Sequence, residues 1–419
     1  MIRESGLFSR NLIILTISNI LWMFSIVLAE TYLSLYILRQ GGTVATVGLI
    51  GSIAYLAGIP LYPVGGYISD YKGRVKLIGL MTYFYVSTSL IFAFAESWVT
   101  IAVGAFLQNS VLFYFPSLFA IQIESVPSNR RGIGFAMITA IPRACGIAAP
   151  FVAGYIVSLY GIVPGVKLLY GLTFIVGIFV ASLRLFGLEE TVTPAKHSVP
   201  ISNLPLLVLE SYKRFIGALK NMSKSLTSFT LVTILITFFA AAAEPYYILY
   251  FSTIIGLTHF EWGQLSFIAS LISFTLAIPI GKLTDMYGGR KTTILSVIAA
   301  IPSFSFIFCD SFAKALLFIT YFSIVNTFMI SAFRVMVAGL IPSDKRGLVL
   351  SALGSRSISI RLRGANPLGG GVLTFVAGMI SIPLGAYLYN INPTFPFLFL
   401  SSGLILCFLL IYKFIHDQN

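Results

Sequence analysis

Charge is what this sequence has least of. Asp, Glu, Lys and Arg together make up 10% of its residues, whereas soluble domains carry about 25%. So few charges leave no surface for a soluble enzyme, a secreted scaffold or a nucleic-acid-binding domain. Cysteine is also scarce. The 3 cysteines, Cys145, Cys309 and Cys407, each lie in an apolar run and give no disulfide framework. The 3 histidines, His197, His259 and His416, are far apart and show no metal-ligand spacing. There is no Gly-x-x-x-x-Gly-Lys-Ser/Thr segment, so ATP is not the expected energy source. Without His-Glu-x-x-His or Gly-x-Ser-x-Gly, no enzyme is expected. No catalytic residue, cofactor or metal is therefore assigned.

Apolar residues are abundant. They make up 57% of the 419 residues, with a mean hydropathy of +0.93, enough for about twelve spans of about 20 residues each. The expected spans are 11–38, 44–69, 75–95, 97–123, 132–159, 166–187, 227–256, 262–284, 292–309, 312–341, 366–389 and 394–415. The first begins like a signal peptide, with Arg3 and Arg10 before an apolar run. That run is too long for a signal core, and further spans follow, so it reads as a helix.

The formal net charge is +13, and it is unevenly placed. Lys72, Arg74, Lys76, Arg130, Arg131, Lys213, Arg214, Arg290, Lys291, Lys345 and Arg346 fall in loops on the side of the N-terminus. The opposite loops hold only Arg39, Lys167 and Lys314. The positive-inside rule then expects a multi-pass protein of the cell membrane with both termini cytoplasmic. The expected organisation is a first six-helix bundle over 1–187, a cytoplasmic linker over 188–226 and a second bundle over 227–419. The linker carries a basic segment, Tyr212 to Lys224, that reads as an amphipathic helix on the membrane surface.

The two halves repeat each other. Gly66-Tyr67-Ile68-Ser69-Asp70-Tyr71-Lys72-Gly73-Arg74 matches the stretch Gly281 to Gly289, 215 residues later. Val126-Pro127-Ser128-Asn129-Arg130-Arg131-Gly132 matches Ile341 to Gly347 at the same offset, and Ala29-Glu30-Thr31-Tyr32 matches Ala243-Glu244-Pro245-Tyr246 at 214. Parallel repeats of this kind resemble the major facilitator superfamily. The segment Gly66, Asp70, Gly73, Arg74 is similar to that superfamily's signature between helices 2 and 3. Gly281 and Asp285 carry its second copy, with the basic residues displaced to Arg290 and Lys291. The resemblance implies an all-α membrane protein of 12 transmembrane helices in two pseudo-twofold-related six-helix bundles.

It also implies a gating role for the signature. Glycine at the end of a helix permits close helix approach. An aspartate there faces a helix N-terminus of the other half, Asp70 at span 11 and Asp285 at span 5. Glu124 and Arg131, with Arg74, resemble the superfamily's cytoplasmic charge network. An ordinary solvated pair is the alternative. The stretch Gly146 to Gly154 in span 5 partly resembles the proton-coupled drug exporters. Ala149 and Ala153 stand where that branch has glycine, and Ala105 where it has an arginine before Gln108.

Charges inside the membrane cost several kcal/mol and need a reason. In this fold spans 1, 4, 7 and 10 line the central cavity. At 1.5 Å per residue, Glu30 lies about 13 Å deep, Gln108 and Asn109 about 15 Å, and Glu244 and Asn326 about 18–20 Å. Arg143 falls near mid-membrane, and Arg334 nearer the cytoplasm. Burial favours the neutral form of a carboxylic acid, so Glu30 and Glu244 are candidate proton carriers. Arg143 and Arg334 are candidates for an anionic group. The alternative is fixed structural pairing, for example Glu30 with Arg143. Tyr246, Tyr247 and Tyr250 read first as helix packing, then as a cavity wall. The stretch Gly347 to Tyr389 is too long for one span. Either helix 11 begins near Gly347 and buries Arg356, Arg361 and Arg363, or, as preferred, it begins near Asn366.

The functional expectation is a monomeric secondary transporter in the lipid bilayer. It moves a small molecule by alternating access, is coupled to protons and exports amphipathic compounds by antiport. Uptake of an organic anion or metabolite, and lipid translocation, are alternatives in the same class. A non-transporting membrane sensor is the alternative from a different class, and the sequence shows no signalling domain for it. No nucleic-acid partner is expected.

Overall fold

The computed structural model describes residues 9–61, 73–126, 133–134, 136–191, 208–209, 212–213, 216–217, 224–340, 353 and 370–414. Its elements are helices throughout the spans: α1 Arg10–Arg39, α2 Val44–Gly58, α3 Arg74–Ala93, α4 Trp98–Glu124, α5 Ala136–Tyr160, α6 Ile162–Gly187, α7 Ser225–Thr253, α8 His259–Tyr287, α9 Gly289–Phe308, α10 Phe312–Met336, α11 Val372–Ile391 and α12 Phe395–Phe414. All but α2 are long and apolar enough to cross a membrane, and α2 is a shorter apolar helix of 15 residues. Helices are the open-ended structure that satisfies every backbone polar group internally in lipid.

Their ends are set by local chemistry. The side chains of Ser9, Thr43, Ser97 and Thr258 accept a backbone N–H from the first turns of α1, α2, α4 and α8, the usual N-cap bond. Gly41, Gly73, Gly256 and Gly288 take φ of 82°, 88°, 81° and 82° where the chain turns between helices. Gly41 and Gly256 stand 215 residues apart, and so do Gly73 and Gly288, and the capping Thr43 and Thr258. The repeat seen in the sequence is thus a repeat of backbone conformation.

Packing repeats too. In the first bundle α1 packs on α5 and α6, α2 on α4, and α3 on α6. In the second, α7 packs on α11 and α12, α8 on α10, and α9 on α12. The bundles meet along two related seams, α2 with α11 and α5 with α8. Small residues line both. A Cβ on Gly154 would lie 3.0 Å from the Gly263 Cα, and one on Gly48 2.8 Å from the Ala386 Cβ. A buried tyrosine marks each crossing. Tyr32 of α1 donates to the His259 carbonyl at 2.5 Å, and its hydroxyl is 3.0 Å from where a Gly154 Cβ would stand. Tyr246 of α7 donates to the Ile382 carbonyl at 2.8 Å, with its hydroxyl 3.1 Å from a Gly48 Cβ. These contacts lie towards the ends of the helices remote from the chain termini.

Three expectations are corrected or limited here. Gly281 was expected to permit close helix approach, but a Cβ built there meets nothing within 4 Å. That stretch of α8 is largely exposed, so the residue has no neighbour to admit. Helix α11 begins at Val372, where the Gly371 amide donates to Thr374 Oγ1 at 2.8 Å. Arg356, Arg361 and Arg363, like most of the linker, lie outside the described residues. Among the described linker contacts, the Tyr212 hydroxyl donates to the Ile59 carbonyl at 2.6 Å.

The two signature glycines of α8 should therefore behave oppositely. Gly288 has φ 82° and ψ 155° with open space around it, a region essentially reserved for glycine, costing another residue about 1–3 kcal/mol. Gly288→Ala should lower the thermal midpoint of the purified protein. Gly281→Ala, in a helix interior with room for the methyl, should leave it unchanged or raise it, worth about 0.5–1 kcal/mol.

Candidate functional site

The helix carrying Glu30 is not continuous. It runs regularly from Arg10 to Glu30, turns at Thr31 and Tyr32, and resumes at Leu33. The matching helix α7 breaks at the matching place. There Glu244–Tyr246 form a 3-10 turn around Pro245, which lacks the N–H that the helix needs. Helix interruptions at depth are tolerated where protein or a cavity surrounds them, and both acidic residues stand at one.

Beside the first break is a cavity of about 760 Å³, its open mouth included. Glu30 and Ser34 reach it from α1, Tyr85 and Ser89 from α3, Gln108 and Asn109 from α4, and Tyr170 and Thr173 from α6. Glu30 is half-buried and close enough to the Tyr85 and Tyr170 phenols to act on both electrostatically. Asn109 is buried, and its Nδ2 donates to the Ala105 carbonyl at 2.8 Å. The Thr173 hydroxyl donates to the carbonyls of Ser25 and Leu169, each at 2.9 Å. The sequence thus places Glu30, Gln108 and Asn109 in one cavity, as their depths implied.

The second half does not mirror this. Glu244 is 4% exposed and acts on the neighbouring Tyr247 phenol. Of its stretch only Pro245 lines the cavity. Asn326 is half-buried on α10. Tyr246, Tyr247 and Tyr250 are buried packing residues. Tyr247 and Tyr250 contact Phe306 and Phe397, and Tyr246 stacks on Tyr389 at 5.5 Å.

Arg143 of α5 and Arg334 of α10 belong to different bundles, and both are exposed. They are near enough to repel each other. No ion pair of either arginine is among the described contacts.

The gating residues divide. Gly66, Asp70 and Arg131 lie outside the described residues. Gly73 caps α3 with φ 88°. Arg74 is buried, and its guanidinium donates to a Glu124 carboxylate oxygen and, at 3.3 Å, to Thr191 Oγ1. Glu190, which the sequence reading passed over, accepts the Arg74 and Val75 amides at 2.7 and 3.0 Å. It therefore ties the end of α6 to the positive N-terminus of α3. Asp285 is exposed. Arg290 donates to the Tyr412 carbonyl at 3.3 Å.

A further residue passed over is Arg184 of α6, which is fully buried. It donates to Ser18 Oγ at 3.4 Å, Thr82 Oγ1 at 3.3 Å and Asn19 Oδ1 at 3.1 Å, and lies 5.1 Å from the centre of the Trp22 ring. Its signal in the sequence is a polar row, Thr82, Tyr85 and Ser89, spaced three and four apart on α3. The same row carries two of the cavity residues.

Twelve helices in two six-helix bundles, meeting along two pseudosymmetric seams, define a membrane transporter fold. The family model described as Major Facilitator Superfamily matches residues 12–359, and the chain belongs to that superfamily. Two uncharacterised MFS-type transporters of Methanocaldococcus jannaschii are 24% and 22% identical to it. The first match covers 96% of this chain and 95% of the relative, the second 85% and 89%. Among solved structures, a D-xylose–proton symporter superposes with a TM-score of 0.68 at 14% identity, covering 97% of this chain and 98% of that one. A human organic anion transporter gives 0.66 at 16%, covering 96% and 99%. At such identities these structures speak to the fold alone. The protein is thus a multi-pass membrane transporter.

The two kinds of arginine should respond differently to truncation. Arg184→Ala leaves a void and strands the Asn19 and Thr82 acceptors, so it should cost at least about 2 kcal/mol and lower the thermal midpoint. Arg143→Ala removes an exposed group that repels its neighbour, and should leave the midpoint unchanged within about 0.5 kcal/mol.

Proposed function

We propose that the protein is a proton-coupled secondary transporter. It moves small amphipathic molecules outwards in exchange for protons, by alternating access between the bundles 1–187 and 227–419. On this reading residues 188–226 are the linker, both termini are cytoplasmic and the working unit is a monomer in the cell membrane. The observation that carries the reading is Glu30, placed on the wall of an open cavity at a break in α1. A carboxylic acid held between an apolar bundle and an open cavity exchanges its proton with whichever side the cavity faces. Glu244, at the equivalent break, is the second candidate carrier. The substrate site comprises Gln108, Asn109 and Asn326 with these acids, and Arg74 with Glu124 belongs to the gate.

A second reading, uptake of an organic anion, draws on the exposed Arg143 and Arg334. They are cations of opposite bundles whose mutual repulsion a bound anion would relieve.

Proteoliposomes containing a pH-sensitive dye test the coupling. Lipophilic cations, organic anions and sugars are added in turn across a proton gradient. Substrate-driven proton movement is expected with the wild type, and Glu30→Gln or Glu244→Gln should abolish it. Full proton movement in both variants would sink the proposal. Movement driven only by organic anions, and lost in Arg143→Gln or Arg334→Gln, would favour the second reading.

A further inference from the structure

The cavity beside Glu30 has a definite hydrogen-bonding character. Its lining includes no Lys, Arg or His among the described residues. Two of its polar side chains already donate to the backbone. Asn109 gives one amide hydrogen to Ala105, and Thr173 gives its hydroxyl hydrogen to Ser25 or Leu169. Thr173 is left with hydroxyl lone pairs to offer, and Asn109 with Oδ1 and one N–H. The Glu30 carboxylate and the Gln108 carbonyl oxygen add further acceptors. Ser89 is wholly buried, and among the described residues its Oγ has no hydrogen-bond partner. An orphaned buried hydroxyl is costly, and this one belongs to a cavity-lining residue.

The remaining wall is aromatic and aliphatic. Phe92 stacks on Tyr170 with ring centres 4.6 Å apart and planes 9° from parallel. Tyr85 lies beside them, and Ile26, Leu33 and Ile50 complete the apolar side. A π face stabilises an adjacent cation. Except for Pro245, every lining residue comes from the first bundle.

We propose that this cavity is a binding site for a protonated primary or secondary amine carrying an aromatic or branched apolar body. Glu30, Gln108, Asn109 and the Ser89 hydroxyl receive the ammonium, and Phe92 and Tyr170 receive the body. The site is acceptor-rich and carries no cationic side chain, so it rejects carboxylates of the same shape. The ammonium and the transported proton compete for one carboxylate, and amine binding weakens as pH falls. This assignment rests on the reading of the cavity as the substrate site, but not on the coupling of transport to protons.

Equilibrium binding of a panel of arylalkylamines to the purified full-length protein tests it, with the matched alcohols and carboxylates as comparators. An amine should bind at about pH 7.5, less tightly at about pH 5.5, and the matched carboxylate at least about tenfold more weakly. Glu30→Gln should weaken amine binding at least about tenfold while sparing the alcohol, and Ser89→Ala should weaken it about two- to fivefold. Glu30→Asp, which keeps the charge, should retain most of the affinity and serves if the glutamine variant does not fold. Equal or tighter binding of carboxylates, an amine affinity indifferent to Glu30→Gln in a folded protein, or no amine bound at all would overturn the proposal. Loss of proton-coupled transport with amine binding intact would sink the coupling and leave this site standing.

Discussion

A membrane's apolar interior offers no water to a polar group, and that single constraint organises this protein. Every backbone amide in the spans must bond inside its own helix, which is why the chain is built of helices. Every polar side chain must be answered by a neighbour or by a cavity. Arg184 meets the requirement with Ser18, Asn19, Thr82 and a tryptophan face. Arg74 meets it with Glu124. Glu30 meets it by standing where its helix breaks and a cavity begins. A charge in such a place is costly, and the cost can be recovered when a proton or a ligand takes part.

The duplicated architecture makes the two breaks comparable, and their difference instructive. Glu30 and Glu244 follow the same Ala and precede the same spacing to a buried tyrosine. Tyr32 and Tyr246 each bond to a carbonyl across a helix crossing where glycine backbones approach. Around those fixed points the halves diverge. The second break is a 3-10 turn around Pro245 with Glu244 buried, whereas Glu30 at the first break lines the cavity. One half has kept its break as a site, and the other has its break buried among aromatic rings.

Much of the architecture was legible in the sequence, because the hydrophobic solvent leaves a strong mark. The span from Ile162 to Gly187 and the turn at Gly73 both follow from local rules of length, polarity and glycine conformation. The grouping of Glu30 with Gln108 and Asn109 followed from depth alone. Other features did not. Reading only the helices expected to line the cavity overlooked Ser89, Tyr85, Tyr170 and Thr173 on α3 and α6. Glu190 looked like an unremarkable acid after a helix until folding brought it against the N-terminus of α3. Gly281 matched a signature by letter, yet among the described residues nothing lies within 4 Å of a Cβ built on it.

By itself, then, the sequence determined that the chain spans a membrane about a dozen times, in two copies of one unit with the Glu30 and Glu244 stretches in register. These are properties of each segment's polarity and of the spacing between copies, and they do not depend on which segments touch. Tertiary structure alone decided which polar groups answer one another. It placed Arg74 on Glu124, surrounded Arg184 with neutral acceptors and, among the described residues, left the Ser89 hydroxyl without a partner. Those outcomes depend on the rotation of each helix about its axis and on side-chain reach across a seam. Both are fixed by packing between elements far apart in the chain.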